Sequence, residues 1–446
     1  MSAASDTGES LKAMAARLFG AGAIAFVAKA GGAALSYVIF VVFARLLAPD
    51  QYGHFAFAFN LANAMSTIAG LGAATAILRF WPQHMVQGQP ALARGSAVTG
   101  GGVTLAATLL CAGLLAAAAP LIARVSGSAD TLHLLVMALS VPLIALSEYV
   151  ASLLRAMGKT FLSLMPRDVI WRIMIIIAAL SGIASGLHFS AATALAITTA
   201  TLLAVVVPQT LYAWRQVNHQ APAPAASDLP LWRGATLPLW GAGILYVLVQ
   251  QFDVVIAGIY LTPAETGAYF AAQKTAGLLT LLLIAGNLVA GPLIATYYHA
   301  GDIAKLQRMT NIIAVAVAAP TLFGLIFLAI AGSFLLGLFD AGFVAFYPVL
   351  MVLGAGYTFD AITGPTGYVL QMSGRERTYL KIMAIAYMLT LAAQLVLAPR
   401  YGALGIAIPN ALGVVVYNIL IIHVARREIG IDPSVFGLLR KRRKPQ

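Results

Sequence analysis

Apolar stretches long enough to cross a membrane follow one another through almost the whole chain, and this pattern constrains the fold most. Hydrophobic residues occupy 61% of the 446 positions and charged residues only 9%. A soluble domain carries about 25% charged residues, so this chain cannot cover a surface that faces water. We expect an all-α polytopic membrane protein. Its twelve predicted spans are roughly 19–47, 52–78, 92–118, 132–156, 160–183, 190–214, 233–261, 264–297, 305–337, 343–372, 377–398 and 402–425.

The Lys and Arg residues are distributed unevenly between the two sides of this predicted topology. With the N-terminus inside, the outer loops hold only Arg124 and Arg400, and five cations lie within spans. The remaining twenty of the 27 lie in cytoplasmic loops, at helix ends and in the tail. This asymmetry predicts that both termini are cytoplasmic. The net charge of +12 therefore reflects membrane topology and lipid headgroups, not a nucleic-acid partner.

A repeat divides the chain into halves. "LLAPDQYGHFAFA" (46–58) and "YLTPAETGAYFAA" (260–272) share Leu, Pro, Gly and Ala at an offset of 214 residues, counted from Leu47 to Leu261. We expect the Pro and the Gly to bracket a short outer turn between the first two helices of each half. "LRAMGKTFLS" (154–163) and "LQMSGRERTY" (370–379) extend the repeat.

The repeat predicts the domain organisation. Six helices in each half give parallel repeats, so the two bundles are related by an axis along the membrane normal. The stretch between the halves is rich in Pro, Ala and polar residues and is typical of a linker. The predicted parts are a cytoplasmic amphipathic segment 1–18, a six-helix bundle 19–215, a cytoplasmic linker 216–231, a second six-helix bundle 232–428 and a basic cytoplasmic tail 429–446.

Several stretches carry a family resemblance. "FARLLAPDQYGHFAFAF" (43–59), "GLGAATAILRF" (70–80), "FDVVIAGIYLTPAETGAYFAAQK" (252–274) and "YGALGIAI" (401–408) resemble the polysaccharide flippases of the Wzx type. These flippases share a superfamily with the multidrug and toxic compound extruders and with the lipid II flippases. The resemblance implies a V-shaped transporter with two pseudo-symmetric six-helix bundles.

The resemblance also implies a substrate and a location. We expect an undecaprenyl-pyrophosphate-linked oligosaccharide to move from the cytoplasmic to the outer leaflet of a bacterial inner membrane, for O-antigen, capsule or exopolysaccharide synthesis. The expected partners are this substrate, membrane lipids, and a polysaccharide polymerase with its chain-length regulator. No enzymatic activity and no cofactor are expected, although transport could be coupled to protons or to sodium.

Cations within the spans are the candidate substrate-binding residues, because an ionisable group in a span is costly unless it faces protein or water. A pyrophosphate headgroup would accept charge-assisted hydrogen bonds from Lys and Arg. Lys29 could instead extend its ammonium to the lipid interface, and Arg172 could be satisfied by Asp168 four residues before it. The candidates are Lys29, Arg45, Arg79, Arg172 and Lys274.

Acidic and neutral polar residues form a second set. Asp253, Glu148 and Asp360 fall within spans and are candidates for coupling or gating. Amides within the spans could line a sugar path or join helices by hydrogen bonds, and they are Gln250, Gln251, Asn287, Asn410 and Asn418.

Asp253 and Lys274 lie at similar depths on adjacent helices, about 12 Å and 15 Å below the outer turn. We therefore expect them to form an ion pair, either static or released by the substrate.

Three other functions compete with this hypothesis. An exporter of drugs or organic cations would share the fold but would favour an acidic, aromatic cavity. A lipid II-type flippase is the second alternative. A membrane-bound polymerase or glycosyltransferase would need a long outer loop, and the longest here is about thirteen residues.

Overall fold

The computed structural model describes residues 28–125, 131–186, 188–226 and 229–439. The predicted amphipathic segment 1–18 and the basic residues 440–444 lie outside this part. Within it the chain is helical and contains no strand. The α-helices are α1 Ala28–Leu46, α2 Pro49–Ala69, α3 Ala73–Val86, α4 Pro90–Val125, α5 Leu132–Ala156, α6 Thr160–Met165, α7 Trp171–Ala184, α8 Ala191–Gln220, α9 Leu229–Gln250, α10 Phe252–Tyr260, α11 Pro263–Gly277, α12 Thr280–His299, α13 Ile303–Phe339, α14 Tyr347–Thr363, α15 Thr366–Met372 and α16 Glu376–Val424.

Tighter or wider helical turns adjoin several of these helices. The π-helical turn Pro166–Ile170 joins α6 to α7, and the 3₁₀ turn Ala341–Phe346 precedes α14. The π-helical turn Ala425–Ile429 follows α16, and the 3₁₀ turn Val435–Leu439 ends the described chain.

Within the described chain, each predicted span coincides with one helix or with consecutive helices, and residues 19–27 of the first span lie outside this part. By length and hydropathy alone, seven helical stretches of the described part can cross a membrane, or up to nine if each of two bent pairs is one span. The lower number arises because breaks divide some spans and because two spans merge. The two merged spans are 377–398 and 402–425, which α16 joins. Where they meet, Gly402 has φ 56° and ψ −135°, and Gly405 packs against the carbonyl of Leu397. The chain therefore turns at Gly402, as the predicted loop there requires.

Gly364, Pro365 and Gly367 lie within the predicted span 343–372 and predict a break there, which the structure confirms. Helix α14 ends at Thr363 and α15 begins at Thr366. Gly364 has φ 71°, in the left-handed region that glycine adopts without steric cost.

The outer surfaces of the long helices are apolar. Phe323, Ile330 and Phe334 on α13 are 72%, 81% and 67% exposed, and Leu110 and Leu114 on α4 are 67% and 64% exposed. Such surfaces are stable in contact with lipid chains and not with water. The chain is thus a multi-pass membrane protein.

Backbone contacts divide the described chain into two compact units. Unit 1 contains residues 28–39, 62–120 and the described residues of 131–244, and unit 2 contains residues 40–61, 121–125 and 245–439. In unit 1, a core around Trp81, Tyr149 and Leu154 packs α3 and α5 together. In unit 2, a core around Ile294, Leu306 and Leu370 joins α12, α13 and α15.

The repeated stretches pack directly against each other within unit 2. A Cβ on Gly53 would run into the carbonyl of Pro263, and a Cβ on Gly267 would lie 2.9 Å from Tyr52 Cδ1 and 3.1 Å from the Gly53 nitrogen. The prediction that these glycines end a turn was wrong, because α2 and α11 begin at Pro49 and Pro263 and both glycines lie inside the helices. The glycines instead permit two helices to approach closely.

Candidate functional site

Unit 1 contains a charged cluster centred on Asp168. The Lys29 ammonium lies 2.9 Å from Asp168 Oδ2, and Arg172 Nη1 lies 3.4 Å from Oδ1. Asp168 is buried, with 8% of its side chain exposed, whereas the Lys29 side chain is 51% exposed. One buried carboxylate therefore holds two cations, and one of them remains accessible.

Local backbone geometry places these groups. The π-helical turn Pro166–Ile170 contains Asp168, and it shifts the register of the helix before Arg172. Arg172 Nε donates to Ser36 Oγ at 2.5 Å, and its Nη1 donates to the carbonyl of Arg167 at 2.9 Å. Gly32 allows α1 to lie against this turn, since an added Cβ would be 2.6 Å from the Asp168 carbonyl oxygen.

A second ion pair extends the cluster. Glu148 on α5 pairs with Arg167, and their side chains are 45% and 20% exposed. Three cations and two carboxylates thus lie together, so the cluster carries a net charge of +1 when all five are ionised. The expected i,i+4 pair between Asp168 and Arg172 is confirmed. Glu148, a candidate for coupling, is already engaged in an ion pair.

Two predicted binding cations have other partners. Arg45 donates through Nε to the carbonyl of Leu338 at 2.6 Å and through Nη2 to that of Gly337 at 2.7 Å. These carbonyls belong to the last turn of α13, where acceptors lack helical partners and a cation is favourable. Arg79 is exposed and lies 5.7 Å from the centre of the Phe80 ring. Neither residue joins the cluster around Asp168.

Unit 2 contains a buried carboxylate with neutral partners. Asp253 on α10 is 2% exposed. Its Oδ1 accepts from Gln394 Nε2 at 2.9 Å, and its Oδ2 accepts from Tyr269 Oη at 3.2 Å and from Asn410 Nδ2. Gln394 and Asn410 lie eight residues before and eight after the turn at Gly402, so they reach the same depth.

The predicted ion pair between Asp253 and Lys274 was wrong. The carboxylate takes three neutral donors, and the Lys274 ammonium lies over the Phe270 ring, 5.0 Å from its centre. Matching depth did not determine which helix face each side chain occupies. Asp253 contacts α11 through Tyr269 and α16 through Gln394 and Asn410, whereas the Lys274 ammonium lies over Phe270, one turn before it on α11. Lys274 belongs to unit 2 and Arg172 to unit 1, so a shared cationic cavity stays a prediction.

Asp360 forms a second polar centre in unit 2, beside the break between α14 and α15. Its Oδ1 accepts from Tyr417 Oη and from Asn418 Nδ2, both at 2.7 Å. Asn418 Oδ1 accepts in turn from Thr363 and Thr366, both at 2.9 Å, on either side of the break. Asn418 therefore ties the carboxylate to the two helix ends.

The amides named from the sequence thus have different roles. Asn410 and Asn418 hold carboxylates, while Gln251 and Asn287 are half-buried, and Asn287 Oδ1 has no hydrogen-bond partner. The side chain of Gln250 lies outside the described part. Sequence reasoning missed Tyr269 and Gln394, although the equal spacing of Gln394 and Asn410 from Gly402 was a usable signal.

In the described chain, no three His, Cys, Asp or Glu side chains are grouped so as to hold a metal ion.

The comparison with protein families decides the identity. The sequence model of a family described as "Polysaccharide biosynthesis protein" matches residues 21–298, more than half of the chain. The chain belongs to the polysaccharide biosynthesis protein family. A search of curated proteins finds no match.

Solved structures with the same fold are membrane transporters. An inward-facing multidrug resistance transporter of the MATE family, in the MOP superfamily, matches with a TM-score of 0.75 and 14% identity, over 90% of this chain and 94% of that one. The lipid II flippase MurJ, in an inward closed conformation, matches with a TM-score of 0.67 and 15% identity, over 90% of this chain and 87% of that one. This member of the polysaccharide biosynthesis family therefore has a MATE-like fold.

Proposed function

We propose that the protein is a flippase that moves an undecaprenyl-pyrophosphate-linked oligosaccharide across the inner membrane, with both termini in the cytoplasm. Membership of the polysaccharide biosynthesis family carries this proposal. The fold shared with a lipid II flippase supports it, because that protein's name identifies a lipid-linked substrate.

The cluster in unit 1 is the proposed headgroup site. The Lys29 ammonium is half exposed, and the cluster has one more cation than it has carboxylates. A pyrophosphate could take Lys29 and Arg172 from Asp168 by offering stronger charge-assisted hydrogen bonds. The polyprenyl chain would remain in lipid while the sugars cross.

Unit 2 is the proposed coupling element. Asp253 and Asp360 are held by uncharged donors, so binding a proton or a sodium ion at either carboxylate requires no existing ion pair to break. Asp360 lies beside a helix break, where a change in its hydrogen bonds would alter the angle between α14 and α15. A polymerase and its chain-length regulator would consume the flipped product.

Export of organic cations remains the second candidate function. Unit 2 favours it, because Asp253 and Asp360 have Tyr269 and Tyr417 as hydrogen-bond partners and the Tyr387 ring packs 5.9 Å from the Tyr417 ring. An acidic and aromatic interior suits a cationic drug.

The test is a gene deletion complemented by variants. Lys29→Ala and Arg172→Ala should each lower surface polysaccharide about tenfold or more, since a hydrogen bond to a charged group contributes about 1.5–3 kcal/mol. Lys29→Arg should retain output, and Arg377→Ala, on an exposed residue outside the cluster, is the matched control. Lipid-linked oligosaccharide should accumulate in the deletion strain.

Two outcomes would contradict these proposals. Normal polysaccharide in the deletion strain, together with increased sensitivity to cationic dyes, would show that the protein exports organic cations and is not the flippase. Normal output from both alanine variants, at equal protein levels in the membrane, would remove the cluster from the substrate path while leaving the flippase function intact.

A further inference from the structure

A glutamine on α8 contacts the helix that leads into the π-helical turn of unit 1. Gln209 is buried, and its Nε2 donates to the carbonyl of Leu162 at 2.8 Å and to that of Ser163 at 3.3 Å. Both acceptors belong to α6, three and four residues before the turn begins at Pro166. A side chain of α8 is therefore bonded to the backbone that precedes Asp168.

Pro166 explains why α6 needs this donor. In an α-helix the carbonyl of Leu162 would accept from the backbone N–H of the residue at position 166, and proline has no N–H. Gln209 Nε2 takes the place of that missing donor. Gln209 Oε1 is buried and has no hydrogen-bond partner within the described chain, which costs free energy. An apolar side chain of similar size would avoid this cost, so the donor accounts for the amide at this position.

A second contact from α8 holds the other side of the turn. Trp171, the first residue of α7, donates its indole Nε1 to the carbonyl of Thr198 at 3.0 Å. Thr198 and Gln209 are eleven residues apart on α8, which is about three turns and places them on one face of the helix. This face of α8 therefore bonds to the chain both before and after the turn Pro166–Ile170.

The π-helical turn determines the direction of the Asp168 carboxylate. Its backbone bond runs from the N–H of Trp171 to the carbonyl of Pro166, five residues earlier, so the turn holds one residue more than an α-helical turn. Each residue occupies about 100° of an α-helix. If the turn relaxed to an α-helix, Asp168 would rotate relative to α6 by about that angle, and its Oδ2 would leave the Lys29 ammonium, which is now 2.9 Å away.

We propose that Gln209 is a positioning residue for the charged cluster of unit 1: it fixes the π-helical turn and thereby holds the Asp168 carboxylate against Lys29. The effect of Gln209 on transport rests on the proposed function, in which this cluster binds the headgroup. The effect of Gln209 on the ion pair does not, so the two statements can fail separately.

The experiment measures how fast the Lys29 amine reacts in the purified full-length protein. Each variant is treated with a small acetylating reagent, and mass spectrometry follows acetylation at Lys29 and at Lys305. Lys305 pairs with Asp302 in unit 2 and is the internal reference. Because an ion-paired ammonium is shielded from the reagent, Gln209→Leu should raise the rate at Lys29 relative to Lys305 about two- to fivefold, the change that corresponds to the loss of a partly exposed ion pair.

Three further variants calibrate this ratio. Asp168→Asn removes the carboxylate and gives the value for a lost ion pair. Thr210→Val is the matched control, because the Thr210 hydroxyl donates to the carbonyl of Val206 at 2.8 Å within α8 and its loss should leave the ratio unchanged. Gln209→Asn withdraws the donor by one carbon–carbon bond, about 1.5 Å, and should raise the ratio as well. It replaces Gln209→Leu if that variant does not fold.

The outcomes separate positioning from transport. A Lys29 ratio equal to that of Thr210→Val in the Gln209 variants would overturn the proposal, even if their thermal midpoints fall, because a purely structural role lowers stability without freeing Lys29. A raised ratio with lower surface polysaccharide in the complemented deletion strain is the expected result. A raised ratio with normal polysaccharide would support the positioning role and would remove the cluster from the substrate path.

Discussion

At the scale of single residues, the partner of a charge depends on the helix face it occupies more than on its depth. Asp168 forms ion pairs with Lys29 and Arg172. Asp253 accepts hydrogen bonds only from neutral donors, although Lys274 lies at a similar depth. Depth follows from counting residues along a helix, and so the sequence predicts it. The face depends on how the helices are rotated against each other, which packing decides.

Gly32 and Gly31 allow a matched test of the cluster in unit 1. A Cβ at position 32 would lie 2.6 Å from the Asp168 carbonyl oxygen, whereas nothing lies within 4 Å of one at position 31. Gly32→Ala should therefore separate α1 from the π-helical turn and destabilise the protein by about 1–3 kcal/mol. Gly31→Ala should be neutral or stabilising by up to about 1 kcal/mol.

Thermal unfolding of the purified protein in detergent would measure both effects. The Gly32→Ala midpoint should fall and the Gly31→Ala midpoint should not. If both variants shift by the same amount, the close approach of α1 to Asp168 does not contribute to stability.

At the scale of helices, the repeated stretch has a purpose that its pattern did not reveal. The prolines begin α2 and α11 as expected of Pro in a first helical turn, and Thr262 and Glu265 form a reciprocal cap on α11. The glycines four residues after each Pro let the two copies contact each other. A helix start is a local property that the nearby sequence encodes. A contact between segments 214 residues apart is not local, so the pattern of either segment does not predict it.

Gly53→Ala tests the contact between the two copies. Its Cβ would meet the backbone of Pro263, which cannot rotate away as a side chain can, so we expect a loss of about 1–3 kcal/mol of stability. Gly267→Ala should cost less, since its nearest neighbour is the side chain of Tyr52.

Gly113→Ala on α4 is the control, because nothing lies within 4 Å of its added Cβ. Thermal midpoints should rank Gly113→Ala highest and Gly53→Ala lowest. A Gly53→Ala midpoint equal to that of Gly113→Ala would show that the close packing of the two copies is not needed for stability.

At the scale of the whole molecule, the order of helices along the chain differs from the grouping of helices in space. The linker predicted at 216–231 lies between the halves, but residues 40–61 pack with 245–439. Part of the linker is itself anchored, because Ala226 donates its backbone N–H to Ala91 at 3.0 Å and Gly95 packs against the Ala226 carbonyl. Composition identified the segment but not its contacts.

The sequence by itself determined the class of protein, the succession of membrane helices, the break at Gly364 and the internal repeat. These follow from hydropathy and backbone preference, which act over a few turns of chain. Only the tertiary structure decided that Arg45 caps α13, that Asp253 binds Gln394 and Asn410, and that Gln307 binds the backbone of Asp432. Each of those contacts joins residues far apart in the chain, so it depends on how the helices rotate and how closely they pack in the complete fold.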